Sequence, residues 1–161
     1  MIKLNNHYLK FAAAHFTIFS ATERERLHGH NFMVSAKIRA RVIENGLCFD
    51  YNIMKKRLRT LCEQLDEYTL LPGQSRYLTM TETDIGLQLK FNSETFYLPA
   101  DDCLVLPVAN ITAEELSRHL LEKMLEDHVA ERYGITALSI AVASGPGQSA
   151  ATEWTQKGGV L

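Results

Sequence analysis

The sequence predicts an α+β domain, and three patterns along the chain point to it. From Phe32 to Val42 the residues alternate: Phe32, Val34, Ala36, Ile38, Ala40 and Val42 share one face of a strand, with Lys37, Arg39 and Arg41 on the other. Two later segments carry apolar residues at helical spacing: first Met54, Leu58, Leu61 and Leu65, then Leu116, Leu120 and Met124 beside Leu121, Leu125 and Val129. Between those helices, residues 76–81, 86–91 and 95–98 read as short strands separated by turns at Thr83-Asp84 and Asn92-Ser93. The order strand, strand, helix, hairpins, helix, strand is that of an α+β fold.

Taken in order, the elements begin with a hairpin over residues 3–16 and 30–43. In its first arm Leu9, Phe11, Ala13 and His15 fall on one face, and the intervening loop (17–27) ends in the charged run Glu23, Arg24, Glu25, Arg26. A turn at Glu44-Asn45-Gly46 leads into a short strand over 47–51, after which Asn52 is placed to cap the first helix. Thr112 and Glu115 fit the N-cap and N3 positions of a capping box opening the second helix, and Gly134 ends it. Residues 137–143 form a continuous apolar strand. The strands within about 74–108 form an insertion whose plainest role is a meander covering a sheet edge or a subunit contact.

With 161 residues and 46% hydrophobic content, the chain is expected to bury one core as a single domain over residues 1–161. A net charge of -2 offers no bulk attraction to nucleic acid or an anionic membrane. No apolar run approaches the length of a spanning helix, and MIKLNNHYLK lacks a signal-peptide core. Cys48, Cys62 and Cys103 are scattered without metal-binding spacing, so reduced thiols in a cytoplasmic protein are expected.

The most informative segment is Glu25-Arg26-Leu27-His28-Gly29-His30-Asn31-Phe32. In an extended strand, side chains two apart project from one face, so His28 and His30 can converge on one ion, on the face that carries Phe32 and Val34. Two ligands make a weak zinc site. His15, closing the neighbouring arm on its apolar face, would complete three neutral nitrogen ligands and leave the fourth position open, as in catalytic zinc sites. His119 and His128, nine apart, do not share a helix face, and His7 has no partner in the sequence.

Phe11-Ala12-Ala13-Ala14-His15, Leu27-His28-Gly29-His30-Asn31-Phe32, Leu65-Asp66 and Asn110-Ile111-Thr112-Ala113-Glu114 occur in one order. In these motifs and their order the chain resembles the 6-pyruvoyl-tetrahydropterin synthase family, which includes the bacterial 6-carboxytetrahydropterin synthases. The resemblance spans most of the chain, with a gap between about Gly73 and Val108. It implies a T-fold, an antiparallel sheet with two helices on one face. It further implies a tunnel-forming homo-oligomer (a hexamer built as a dimer of trimers), a pterin substrate, and Zn2+ held by His15, His28 and His30.

Three of the family's functional residues have no counterpart here. The position four before His28, near which relatives carry a cysteine, is Arg24, and no cysteine precedes Leu47. Asp66 matches the aspartate of an Asp-His dyad, but the next residue is Glu67. The late glutamate that anchors the pterin's pyrimidine edge corresponds to Ser144, which offers one hydroxyl where adjacent N–H donors suit a bidentate carboxylate; Glu114 or Glu153 could supply that acid instead.

Glu25, three before His28, suggests what replaces the cysteine. Glu-x-Leu-His-Gly-His-Asn-Phe is similar to a branch of the family in which glutamate is the proton-transfer group and the pterin side chain is cleaved. The implied reaction leaves 6-hydroxymethyl-7,8-dihydropterin for folate synthesis. A metal would polarise side-chain oxygens while Glu25 takes a hydroxyl proton. Asp66 and Glu67 are further catalytic candidates, Glu67 requiring a raised pKa to act as an acid. Thr112, Glu114 and Ser144 are candidate substrate contacts. Two alternatives stand beside this reading. One is a 6-pyruvoyl- or 6-carboxy-tetrahydropterin synthase acting on dihydroneopterin triphosphate. The other is a non-catalytic homologue that binds zinc and a pterin.

Overall fold

A computed structural model of the chain describes residues 1–43, 45–157 and 159–160; Glu44 of the expected 44–46 turn lies outside the described residues. Its strands are β1 (Ile2–Leu4), β2 (Lys10–His15), β3 (His28–Ala40), β4 (Tyr68–Pro72), β5 (Leu78–Thr83), β6 (Gly86–Phe91), β7 (Glu94–Leu98), β8 (Cys103–Leu106), β9 (Ile135–Gly145), β10 (Gln148–Thr155) and β11 (Gly159–Val160). The helices are α1 (Asn52–Leu65), α2 (Ala113–Leu125) and the short α3 (Val129–Arg132).

The main sheet runs β11-β10-β9-β3-β2-β4-β8, with β1 also paired to β3. Its hairpins are antiparallel, whereas β4 lies parallel to β2, and β8 parallel to β4. The sheet is therefore mixed, within the α+β class and the helix-on-sheet layering expected. α1 carries the chain from the end of β3 past β2 to its far edge, where β4 starts alongside β2 and parallel to it. Phe32, Val34, Ala36 and Ile38 point into the core as their alternation predicts. The alternation stops at Ala40, and Val42 is exposed. Leu9, Phe11 and Ala13 of the neighbouring arm join the same core, closed by Met54, Leu58, Cys62 and Leu65 of α1 and by Leu116, Leu120, Leu121 and Met124 of α2. Cys62 thus takes the place expected for Leu61; burial pushes its thiol up to about 12.

Several boundaries differ from expectation. Residues 47–51 form no strand: the Leu47 carbonyl accepts the Ile43 N–H at 2.7 Å across the turn, but the pairing does not continue, and Phe49 packs on Tyr133 with ring centroids 5.5 Å apart. Asn52 is the first residue of α1 and Tyr51 its cap, while the Asp50 carboxylate accepts the Asn52 N–H. Thr112 caps α2 by accepting the Glu115 N–H, but the Glu115 carboxylate reaches back to the Ala109 N–H, so only half of a capping box forms. The second helix also breaks early. Arg57 of α1 donates to the carbonyls of Lys123 and Glu126 and pairs with Asp127, while Asp127 and His128 turn left-handed before α3 resumes.

Residues 74–108 form the expected meander as a separate three-stranded sheet, β5-β6-β7, with β8 continuing into the main sheet. Leu78, Leu87, Leu89 and Phe91 of the meander bury against Phe16, Ile18 and Leu71, a second core beside the first. The arm expected over 3–16 divides into β1 and β2, and β4, β8, β10 and β11 are strands that the sequence pattern does not announce. No helix among the described residues is long and apolar enough to cross a membrane.

Candidate metal centre and substrate cavity

The β2–β3 register sets His15 directly opposite His28, and His30 lies two residues further on the same face. The three rings form a cluster with centroids 4.7–5.3 Å apart, floored by Phe32. Nδ1 of His15 donates to the Ile111 carbonyl at 2.9 Å, and Nδ1 of His28 donates to the Arg26 carbonyl at 2.7 Å. A neutral imidazole that gives its proton from Nδ1 presents a lone pair at Nε2. Nε2 of His28 and Nε2 of His30 stand 3.0 Å apart, and the ligand atoms of all three residues lie within 4.8 Å of one another.

His15 is only 5% exposed, and its Nε2 has no hydrogen-bond partner. A buried orphan of this kind costs free energy unless something accepts its lone pair. Burial also lowers the His15 pKa, against a smaller opposing effect of the Ile111 hydrogen bond, so the ring stays neutral and ligand-competent. The donor set therefore fits a divalent cation with an open coordination position.

The cluster opens into a cavity of about 520 Å³. Glu25 lines it beside the histidines. Its rim includes Thr112 and Glu114 from the first turn of α2, and Ser144 with Gln148 and Ser149 from the β9–β10 turn. The structure thus brings Glu25, Thr112, Glu114 and Ser144 to one cavity with the three histidines; Glu153 is not in the lining. Thr17, Phe19, Gln148 and Ser149 were missed. The last two lie on β10, whose Gln-Ser-Ala-Ala-Thr run carries no large apolar residue to mark a strand.

Glu25 is held by its own loop, a small hairpin not anticipated in the sequence. Its N–H donates to the Thr17 carbonyl at 2.8 Å, and its carboxylate accepts the Thr17 N–H at 3.0 Å. Burial alone would raise the Glu25 pKa, but the Thr17 hydrogen bond and the nearby His28 and His15 outweigh it, so the carboxyl lies below its ordinary range. Asn110 grips the hairpin from the other side, accepting the Ile18 N–H at 3.1 Å and donating to the Ile18 carbonyl at 2.7 Å.

Asp66 and Glu67 do not join this cavity. The Asp66 carboxylate accepts the Ala12 N–H at 2.6 Å, and the left-handed Glu67 gives its N–H to the Ala12 carbonyl. Glu67 borders a second hollow, lined among others by Ala12, Ala14, Asn31 and Thr69 and reached also by His30. Within one chain, Glu67 and Glu25 therefore line different hollows. The exit of α1 fixes Asp66 and Glu67 in place, the Asp66 carboxylate and the Glu67 N–H both bonding Ala12 of β2.

The model of the 6-pyruvoyl tetrahydropterin synthase family matches residues 6–153. A protein of Methanocaldococcus jannaschii provisionally named a 6-carboxy-5,6,7,8-tetrahydropterin synthase is 26% identical over 159 residues, 93% of this chain and 94% of that one. The crystal structure of a 6-pyruvoyl tetrahydropterin synthase from Plasmodium vivax matches with a TM-score of 0.89 at 26% identity, covering 96% of each chain. The Plasmodium falciparum counterpart matches with a TM-score of 0.90 at 26% identity and the same coverage. Two further structures are P. vivax variants in which a glutamate described as the catalytic residue is replaced by alanine or cysteine.

Proposed function

The chain belongs to the 6-pyruvoyl tetrahydropterin synthase family, and on that premise we propose that it is a zinc-dependent pterin enzyme with Glu25 as its base. The reaction is cleavage of the side chain of 7,8-dihydroneopterin, or its phosphate, to 6-hydroxymethyl-7,8-dihydropterin. The observation that carries this reading is the Glu25 carboxylate on the wall of the histidine cavity, in a chain with no cysteine before Cys48. A glutamate described as catalytic in the P. vivax relative supports it.

His15, His28 and His30 would hold the zinc, which when bound supplies Lewis-acid polarisation of the substrate's side-chain oxygens. Glu25 takes the proton of the C2′ hydroxyl as the C1′–C2′ bond breaks. The bond's electron pair passes into the pterin ring, C2′ leaves as the carbonyl carbon of a two-carbon aldehyde, and C1′ is reprotonated. Thr112, Glu114 and Ser144 orient the ring at the rim, and Glu114 is the lining acid able to accept from its pyrimidine edge. Asp66 and Glu67, the latter bordering the second hollow, would serve a neighbouring subunit of a hexameric dimer of trimers. Free cysteines fit a cytoplasmic enzyme.

A second reading, synthesis of 6-carboxy- or 6-pyruvoyl-tetrahydropterin from dihydroneopterin triphosphate, is favoured by the name of the M. jannaschii relative. Incubating zinc-loaded protein with each substrate and separating the products by chromatography decides between them. Formation of 6-hydroxymethyl-7,8-dihydropterin is expected. Consumption of neither substrate would remove both readings.

A further inference from the structure

Glu25 and its neighbour Arg24 face opposite ways. Residues 17–25 fold as a hairpin in which Thr17 pairs with Glu25 and Ile18 bridges Arg24. Successive residues of an extended arm project to opposite faces. Thr17 and Glu25 accordingly line the histidine cavity, while Arg24 turns toward the β5–β7 meander.

The Arg24 side chain, 18% exposed, is enclosed there. Its guanidinium lies 5.2 Å from the Phe16 ring centroid, 5.8 Å from that of Phe91 and 5.1 Å from that of Phe96. Nε donates to the Glu94 carboxylate at 2.8 Å, and a terminal nitrogen lies 2.7 Å from the same oxygen. The other terminal nitrogen donates to the Glu25 carbonyl at 2.8 Å. One planar cation therefore spans the meander (Glu94 and Phe96 of β7, Phe91 of β6) and the backbone of the residue lining the cavity. Arginine suits this task, because a guanidinium stacks on rings while its forked donors bind in two directions.

We propose that Arg24 is a positioning residue that, with the β5–β7 meander, holds Glu25 at the wall of the histidine cavity. The proposal rests on the reading of Glu25 as the base for its catalytic consequence, but not for its structural one. Glu25 is tied at three points: its N–H and carboxylate to Thr17, and its carbonyl to Arg24. Without the third, Glu25 is held only through Thr17, and its arm loses its tie to the meander. The meander then has a use beyond covering an edge.

The test compares Arg24→Gln and Glu94→Gln with the unaltered protein by residue-resolved amide hydrogen exchange, steady-state kinetics on dihydroneopterin and bound-metal content. In Arg24→Gln the Thr17 and Glu25 amides should exchange at least tenfold faster, while the Val34 amide inside β3 stays protected. In the same variant kcat should fall tenfold or more with KM within twofold, and metal should remain stoichiometric. Glu94→Gln should move in the same direction by less, and it carries the test should Arg24→Gln fail to fold. Unchanged exchange and unchanged kcat overturn the proposal. Glu25→Gln measured alongside separates the two readings. If it turns over normally, the base assignment fails while the exchange data still decide the clamp. If it is inactive and Arg24→Gln behaves as the unaltered protein, only the clamp fails.

Discussion

Thr17 and Glu25 are bound to each other twice, the Glu25 N–H to the Thr17 carbonyl at 2.8 Å and the Thr17 N–H to the Glu25 carboxylate at 3.0 Å. Thr17 lies two residues beyond the buried His15, so the proposed base and the candidate metal cluster share one stretch of backbone. A carboxylate fixed by a backbone donor is ionised at neutral pH and aimed before the substrate arrives.

Glu25→Gln keeps an acceptor for the Thr17 N–H but cannot take a proton. We expect kcat to fall by about 10²–10⁴, the usual worth of a positioned general base, with metal retained. Because the Glu25 carboxyl lies below its ordinary range, the acid limb of kcat/KM should sit below that of a free glutamate. A pH-rate profile of the unaltered enzyme checks this, and an acid limb above the ordinary glutamate range would show that another group is the base.

His28→Ala removes a ligand without disturbing the orphaned Nε2 of His15. Stoichiometric zinc should be lost, as measured by metal analysis after gel filtration. Chelator treatment of the unaltered protein should lower Tm, and restoring zinc should recover it. At free metal a hundredfold above Kd, the stabilisation is about 2.7 kcal/mol.

The metal face was legible in the sequence, because His15, His28 and His30 obey the same alternation as Phe11, Phe32 and Val34. The strand carrying the far rim was not. Along β10 Trp154 alone marks the inner face with a large apolar side chain; the buried Thr152 before it is satisfied by the Ser117 hydroxyl at 2.7 Å, a partner 35 residues away. The end of α2 was hidden for a similar reason, since Arg57 on another helix donates to the carbonyls of Lys123 and Glu126. The opposed directions of Arg24 and Glu25 could have been found. Thr17-Ile18-Phe19 and Glu23-Arg24-Glu25 flank Ser20-Ala21-Thr22 symmetrically, a hairpin pattern masked by the charge of its second arm.

Ser144 lies on the cavity rim at the β9–β10 turn. Ser144→Glu would present a carboxylate to the adjacent N–H donors of a pterin. A hydrogen bond to a charged group is worth about 1.5–3 kcal/mol, so KM for the pterin should fall about tenfold or more. Should it stay unchanged, Glu114→Gln should raise KM by a similar factor, since Glu114 then already fills that role.

His119 on α2 is 7% exposed, and its pKa is lowered, first by burial and then by nearby Lys123. A histidine depressed in the folded state stabilises the fold fully above its unfolded value of 6.5, and that contribution is lost as pH falls through the folded pKa. His119→Gln should therefore show a smaller loss of stability than the unaltered protein between about pH 7.5 and 5, measured by urea unfolding of metal-free protein. Parallel curves for the two proteins would count against it.

Gly86 opens β6 at φ +126°, and an added Cβ would collide with the Leu98 carbonyl oxygen across the β6–β7 pair. Gly86→Ala must displace backbone, at a cost of about 1–3 kcal/mol for the strained conformation alone. Leu58→Ala, in the main core and far from the meander, should cost a comparable or larger 2–5 kcal/mol or so by leaving a cavity. The two variants should part company in kinetics. The folded fraction of Leu58→Ala should keep its kcat, because its loss does not pass through Arg24. Gly86→Ala should lose kcat as well as Tm, because shifting β7 moves Glu94 and Phe96, the groups that hold Arg24 against the Glu25 carbonyl. Equal effects on kcat per unit of stability lost would mean that the meander stabilises the fold without steering the base.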